Sequence, residues 1–218
     1  MNCLVTGQGS RVKRVAVRGS LLAVLVLAAG CTDVQAPRRS ERYEWRLDGT
    51  ESFHWPREAL PVRVWVEDDE NLPEYAAGAI ADWKAVFLYG ELDARVVSDS
   101  NAADVLVRLA SPPGAVAAAR LLHRAPECQG ATDLDILDGE LQLPVRVYVT
   151  QRLTGPDLPG CFRLTLRHEL GHAFGIWNHS ADPADAMFTD PELDGLSEAD
   201  RHTMEYLYHF PPTVVPAR

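Results

Sequence analysis

The stretch that decides the fold spans residues 167–175 and reads RHELGHAFG. On an α-helix, residues four positions apart lie on one face, so His168 and His172 can direct two imidazoles at one metal ion. Glu169 lies beside them and can act on a metal-bound water without being a ligand. The alternative is an ordinary amphipathic helix with surface histidines. We favour a zinc site, because the residues that follow also fit one.

Gly175 comes directly after the helical segment, where the chain has to turn back towards the metal. A residue in the left-handed conformation at the C-terminal cap makes such a turn, and glycine adopts it without a Cβ penalty. The returning segment can then offer His179 as a third imidazole.

After the glycine the chain continues IWNHSADPADAMF through residue 188. With the helix motif, this segment resembles the matrixins, a branch of the metzincin zinc peptidases. Their pattern is HExxHxxGxxHS, a short loop that often carries Asp-Pro, and Met followed by Tyr or Phe. The resemblance implies that His179 is the third zinc ligand and that Met187 forms a tight turn beneath the metal. It further implies an endopeptidase that hydrolyses peptide bonds through a zinc-bound water, with Glu169 as general base.

One extra residue separates this chain from the matrixin pattern. The family has two residues between the glycine and the third histidine, whereas three lie between Gly175 and His179 here. Read strictly, the pattern puts Asn178 at the ligand position, but an amide oxygen is a poor zinc ligand beside imidazole. Residues 179–188 match the family spacing without a gap, so we keep His179 as the ligand. The alternative is a non-catalytic, metal-stabilised binding lipoprotein with a weak or inactive site.

The first thirty residues have the composition of an export signal. Four positive residues precede a nine-residue apolar run at 21–29, which is too short to span a bilayer stably. The run leads into LAAGC, which resembles a bacterial lipobox with Cys31 as the lipidated mature N-terminus; simple secretion is the alternative. The predicted organisation is a signal peptide (1–30), a tether (31–43), a matrixin-like zinc peptidase domain (44–212) and a tail (213–218).

Charge limits the partners of the mature chain. Removal of residues 1–30 takes away four positive charges and no acidic one, so the formal charge falls from −10 to −14 over 188 residues. A chain of this length forms one ordinary domain with a real core. Its acidity argues against nucleic acid, because phosphate binding needs clustered Lys and Arg. We expect a monomer in the bacterial cell envelope, facing the periplasm or the cell exterior. Its partners are a protein or peptide substrate and a membrane reached only through the lipid anchor.

Two cysteines remain after Cys3 and Cys31 are set aside. Export takes Cys128 and Cys161 to an oxidising compartment, where a disulfide between them closes a loop of about 34 residues and stabilises the fold by roughly 3–4 kcal/mol. Two free, buried thiols are the alternative.

A cluster of four acidic residues surrounds Gly139: Asp133, Asp135, Asp138 and Glu140. A Ca²⁺ site is one interpretation, although the spacing misses the EF-hand pattern by one residue. A solvated acidic loop is the other interpretation.

Hydrophobic periodicity predicts strands at 61–67, 94–97, 103–109 and 144–150. It also predicts a helix at 74–88, a zinc helix that begins near 160–162, and a last helix with Ser197 as N-cap that ends before Pro211. A small hairpin is predicted from the pieces near 44–47 and 52–55. Residues 115–123 can form a strand, which in the matrixin arrangement lies at the sheet edge and binds extended substrate.

The predicted fold class is therefore α+β: a metzincin-like catalytic domain with a twisted mixed sheet and two long helices, and a C-terminal subdomain with a Met-turn and the final helix.

Overall fold

The computed structural model describes residues 42–69, 71–110, 128–151 and 158–217. These residues belong to one compact unit, which spans Ser40–Arg218. They form an α+β fold with a five-stranded mixed sheet and three α-helices, the last of which is C-terminal. The predicted signal peptide, the tether before residue 42 and the predicted strand at 115–123 lie outside the described residues.

The described chain contains eight strands and three α-helices. The strands are β1 (Val62–Val66), β2 (Ala94–Val97), β3 (Val105–Leu109), β4 (Cys128–Asp133), β5 (Ile136–Leu137), β6 (Glu140–Leu141), β7 (Val145–Gln151) and β8 (Val215–Pro216). The helices are α1 (Leu72–Lys84), α2 (Leu158–Phe174) and α3 (Glu198–His209).

Five strands form the main sheet in the order β2-β1-β3-β7-β4. Neighbouring strands are parallel except β4, which runs antiparallel to β7 as the outer strand. In β1 the buried residues Val62, Val64 and Val66 alternate with more exposed ones, as expected for a strand with one face on the core. The four predicted strands are confirmed within two residues as β1, β2, β3 and β7.

Helices α1 and α2 pack against each other, and their buried residues join the sheet residues in one hydrophobic core. The buried Trp83 of α1 donates from Nε1 to the carbonyl oxygen of Arg167 in α2, at 2.9 Å. Helix α1 ends four residues earlier than predicted, because Val86 and Phe87 enter the core from tight turns after the helix, with hydrogen bonds back to Trp83 and Lys84. Within the described part of the chain, no helix is both long enough and apolar enough to cross a membrane.

The last helix begins and ends as predicted. Ser197 is its N-cap and forms a reciprocal capping box with Asp200, and Phe210 follows its last residue. The chain beyond it is part of the fold rather than a free tail. Strand β8 pairs in parallel with β6, Val214 is buried, and the N–H of Val214 donates to the carbonyl oxygen of Ser52. Residues 214–216 therefore pack against the rest of the described chain, and the predicted domain bounds stay a prediction.

The acidic segment near Gly139 is a hairpin between β5 and β6. Asp138 and Gly139 have φ angles of 54° and 80°, which suits a two-residue hairpin turn. The four acidic side chains form no group that could hold a metal ion among the described residues, so calcium stays a prediction without support from this segment. The hairpin predicted nearer the N-terminus is reduced to a single bridge between Leu47 and Glu51.

Cys161 lies in the first part of α2 and is disulfide-bonded. The side chain of Cys128 is outside the described structure, so the pairing of these two cysteines stays a prediction.

If Cys128 is the partner of Cys161, a reductant should lower the free energy of unfolding by roughly 3–4 kcal/mol, because the open chain regains loop entropy. For a domain of this size the melting temperature should then fall by on the order of 10 °C, measured by calorimetry with and without reductant. A variant with serine at both positions is the control and should not respond to the reductant. Free thiols at residues 128 and 161 in the purified, non-reduced protein would contradict the pairing.

Candidate metal centre

Helix α2 presents His168 and His172 on one face, with their Nε2 atoms 3.1 Å apart. The Nδ1–H of His168 donates to the carbonyl oxygen of Ala186 at 2.9 Å, and that of His172 to the carbonyl oxygen of Ile176 at 2.6 Å. Because a carbonyl only accepts, each Nδ1 carries the ring proton and each Nε2 keeps a lone pair. Two facing lone pairs cannot bond to each other, and a cation between them would relieve their repulsion.

The chain reverses at Gly175, directly after α2. The φ angle of Gly175 is 125°, and its N–H donates to the carbonyl oxygen of His172 while the N–H of Ile176 donates to that of Gly171. These are the two hydrogen bonds of a Schellman cap. A Cβ at residue 175 would also overlap the carbonyl oxygen of Phe53. Both the backbone conformation and the close approach therefore require glycine.

The turn brings His179 to the two helix histidines. Its ring centroid lies 5.2 Å from that of His168 and 4.9 Å from that of His172. The candidate ligand atoms of the three residues all lie within 4.8 Å of one another. Two nitrogens bound about 2.1 Å from a tetrahedral zinc lie about 3.4 Å apart, so the spacing and the donor type fit this metal. This three-histidine group can hold a metal ion such as zinc, and no other such group occurs in the described ranges.

The side chain of Asn178 is engaged elsewhere. Its Oδ1 accepts a hydrogen bond from the N–H of His179 at 2.9 Å. The N–H groups of Trp177 and Asn178 both donate to the carbonyl oxygen of Trp45, at 2.8 and 3.2 Å. The extra residue between Gly175 and His179 is thus accommodated in a bend of the chain, and hydrogen bonds to Trp45 hold this bend in place. The imidazole that reaches the other two belongs to His179.

Replacement of His179 by alanine should weaken zinc binding far more than replacement of Asn178. Loss of an imidazole ligand removes a metal bond, and we expect the affinity to fall more than about 100-fold. Loss of the Asn178 amide disturbs only the support of the bend, for which about 10-fold is expected. Competition of both variants against a fluorescent zinc chelator measures the difference. Equal effects, or a larger effect at Asn178, would reverse the assignment.

Burial favours the neutral form of the two helix imidazoles, and it acts in the same direction, with less cover from the protein, on the exposed His179. It lowers the pKa of His168 to about 4, places that of His172 well below its ordinary value, and lowers that of His179. In each case burial is the largest cause, because a charged ring loses hydration inside the protein. A neutral imidazole is the form that binds a metal. These rings therefore have few protons to lose near neutral pH when a cation binds.

Glu169 is part of α2, and its side chain contacts the outer strand β4. Its side chain is buried, and burial raises its pKa to about 7, while a hydrogen bond from Thr132 acts in the opposite direction. The Oγ1 of Thr132 donates to Oε2 of Glu169 at 2.8 Å. A Cβ at Gly130 would overlap Oε1 of Glu169, so only glycine fits at this point of β4. The structure thus gives the carboxylate two neighbours from β4 that sequence reasoning missed, because they lie far from the motif in the chain.

Met187 packs against the helix that carries the histidines. It is fully buried, and a Cβ added at Gly171 would overlap its sulfur and lie 2.8 Å from Cζ2 of Trp83. Gly171 is one of the two unspecified positions of the HExxH motif, and in this chain the space beside it is filled by Met187. Met187 therefore lies against the helix that carries the histidines, while its role as a tight turn beneath a metal stays a prediction.

Asp200 anchors the segment before Met187. Its Oδ2 accepts from the N–H of Ala186 at 2.7 Å, and its Oδ1 accepts from the hydroxyl of Tyr43 at 2.6 Å and from the N–H of Met187 at 3.3 Å. The carbonyl of Ala186 is the acceptor for His168, so one residue separates this carboxylate from a candidate ligand. Sequence reasoning did not single out Asp200, although the Ser-x-x-Asp capping box marks it.

A second cluster fixes the loop between His179 and Met187. The N–H of Ser180 donates to the carbonyl oxygen of Met187 at 2.9 Å. The hydroxyls of Ser180 and Ser197 donate to the two carboxylate oxygens of Asp185, which is buried. Ser180 is therefore tied to Met187 and Asp185, and Asp185 is tied to the N-cap of α3, which limits how far His179 can move from the helix histidines.

Replacement of Tyr43 by phenylalanine should lower the free energy of unfolding by about 1.5–3 kcal/mol, the range for a hydrogen bond to a charged group. The variant removes one donor from the buried Asp200 and keeps the ring. Tyr206→Phe is the matched control, because Tyr206 is 38% exposed and its hydroxyl makes no hydrogen bond among the described residues. Urea denaturation compares the two variants. An equal decrease in the free energy of unfolding in both variants would show that the hydrogen bond from Tyr43 to Asp200 does not stabilise the fold.

No protein-family model matches the chain, and no curated protein matches it. The fold and the site alone therefore define the class: an α+β protein with a three-histidine group that can hold a metal ion such as zinc. The likeness to the matrixins rests on the residues of the metal helix and of the loop after it.

Proposed function

We propose that this protein is a zinc-dependent endopeptidase of matrixin type. The observation that carries the proposal is the convergence of His168, His172 and His179 at helix α2, which also carries the buried Glu169. Structural zinc sites are closed by four protein ligands, whereas catalytic sites use three and keep one position open. Within the described residues the group has three members, and each supplies one nitrogen. This donor set favours a catalytic over a structural metal.

Amide hydrolysis is slow because the carbonyl is a weak electrophile, water is a poor nucleophile and the leaving nitrogen must be protonated. The proposed chemistry addresses each of these. A bound zinc ion supplies a Lewis acid for the weakly electrophilic carbonyl and lowers the pKa of a water ligand towards about 7. Glu169 accepts a proton from the attacking water and delivers it to the leaving nitrogen as the C–N bond breaks. The backbone hydrogen bonds of His168 and His172 hold both rings in the tautomer that leaves Nε2 free.

We further propose that the substrate is a protein or peptide bound in an extended conformation along β4. This strand is the outer strand of the described five-stranded sheet, and it contacts α2 at Glu169 through Thr132. An extended peptide can add to such an edge through backbone hydrogen bonds, which tolerate many side chains. The carbonyl to be hydrolysed would then lie beside Glu169.

The proposed place of action is the bacterial cell envelope, where a lipid on Cys31 would hold a monomeric domain through a polar tether. The sequence of the first 43 residues supports this part of the proposal. A net charge of −14 in the mature chain would be repelled by anionic lipid and by nucleic acid.

Digestion of unfolded proteins and of a peptide library by the purified mature chain tests the proposal. We expect cleavage that a chelator abolishes and that added zinc restores, with about one zinc bound per chain. A chain that holds its zinc but hydrolyses nothing would contradict the proposal. That result would leave the non-catalytic, metal-stabilised binding lipoprotein as the better account.

A further inference from the structure

Strand β4 contacts the carboxylate of Glu169 at two alternate residues. Gly130 has no side chain, and a Cβ there would overlap Oε1 and lie 2.5 Å from Cγ of Glu169. Two residues further along β4, the hydroxyl of Thr132 lies 2.8 Å from Oε2 and 3.0 Å from the backbone carbonyl oxygen of Glu169. Alternate residues of a strand lie on the same face, so both contacts come from the face that β4 turns towards α2.

The two carboxylate oxygens of Glu169 are therefore not equivalent. Oε2 accepts from Thr132, and this is the only hydrogen bond that the side chain of Glu169 makes within the described residues. Oε1 has no donor there and lies in the space that Gly130 leaves open. A hydroxyl bonds more strongly to a carboxylate than to a neutral carbonyl, so Oε2 is the preferred acceptor of the two that Thr132 can reach.

We propose that Thr132 is a positioning residue for the general base: it holds Oε2 so that Oε1 is the atom that receives the proton. The inference rests on the proposed peptidase function. In the reaction, Oε1 takes a proton from the attacking water and gives it to the leaving nitrogen, while the hydroxyl of Thr132 donates to Oε2 throughout and transfers no proton. A side chain buried with a single hydrogen-bond partner depends on that partner for its orientation.

Thr132→Val and Thr132→Ser separate this role from simple packing. Valine keeps the branched shape and removes the hydroxyl, whereas serine keeps the hydroxyl and removes the methyl group. We expect Thr132→Val to lower kcat by about 10- to 100-fold, the range for partners that orient an active-site group, with KM within about threefold and zinc affinity unchanged. Thr132→Ser should keep kcat within about threefold. Thr150→Val is the matched control, because Thr150 lies in the neighbouring strand β7 and its hydroxyl donates to Ala110 instead.

A double-mutant comparison gives a readout that a structural role would not move. In the Glu169→Gln background, Thr132→Val should cause no further loss of rate, because the residue acts only through Glu169. If valine prevents folding, Thr132→Ala takes its place, since it also lacks the hydroxyl and adds no volume.

The outcomes separate this inference from the proposed function. Hydrolysis by the wild-type protein combined with an unchanged kcat in Thr132→Val would overturn the role of Thr132 and leave the peptidase proposal standing. The same follows if Thr132→Ser is as impaired as Thr132→Val, because the hydroxyl would then not be the cause. If the wild-type protein hydrolyses nothing, both proposals fall.

Discussion

Glu169→Gln should lower the rate of peptide hydrolysis by about 10²- to 10⁴-fold, the contribution typical of general acid–base catalysis. Glutamine has nearly the shape of glutamate but cannot accept the proton of the attacking water. The three histidines are untouched, so zinc content should stay at the wild-type value. The rate is measured with a fluorogenic peptide chosen from the library digest, and metal content is measured by mass spectrometry.

Glu140→Gln is the control for this experiment. Glu140 is exposed on β6 and is outside the three-histidine group, so its variant should hydrolyse at the wild-type rate. A Glu169→Gln variant that retains full activity would show that the carboxylate is not the base. A variant that loses zinc as well would show that Glu169 holds the metal site together instead.

His172→Ala should abolish zinc binding at working concentrations and hydrolysis with it. Free energies of zinc binding to protein sites are about 10–16 kcal/mol, and one of three ligands contributes roughly a third, about 3–5 kcal/mol. That loss corresponds to a factor of about 10² to 10⁴ in affinity. The variant also leaves the carbonyl oxygen of Ile176 without its imidazole donor. Isothermal titration of the metal-free protein with zinc measures the change.

His209→Ala is the matched control for His172→Ala. His209 is exposed at the end of α3, and its ring lies against the carbonyl oxygen of Glu205 rather than in the group. Zinc affinity should be unchanged in this variant. If His172→Ala bound zinc as tightly as His209→Ala does, the three-histidine group would not be the metal site.

The parts of the fold that sequence reasoning reached are those with local signals. His168 and His172 are one helical turn apart, so their shared face follows from helix geometry alone. The glycine conformation at residue 175 and the cap at Ser197 were also readable, because each depends on residues within one turn. Four strands were found because their β-branched residues alternate or run together.

The elements that the sequence did not predict correctly differ in their causes, and only strand β4 depends on contacts between distant residues. Strand β4 contains Gly130 and Asp133, which have low strand propensity, and its place in the sheet comes from pairing with β7. The hairpin turn at Asp138 and Gly139 had a usable Asp-Gly signal, which the concentration of acidic residues obscured. The apolar spacing predicts a longer helix α1 than the structure has, because Val86 and Phe87 continue that spacing although they pack from turns after the helix.

The candidate site divides in the same way. The three imidazoles could be named from spacing and resemblance, whereas their supports could not. Thr132 is 37 residues away from Glu169 in the chain, and Tyr43 is 157 residues away from Asp200. Only the folded chain brings such pairs together, and no local pattern of residue types predicts them.

Titration of the metal-free protein with zinc, with the cleavage rate recorded at each step, tests the central claim most directly. The proposed function predicts that the rate rises in proportion to added zinc and levels off at about one ion per chain, the content of a single catalytic site. Glu169→Gln should take up the same amount of zinc and show almost no rate. Cleavage that does not depend on zinc, or zinc that saturates the site without any cleavage, would contradict the account.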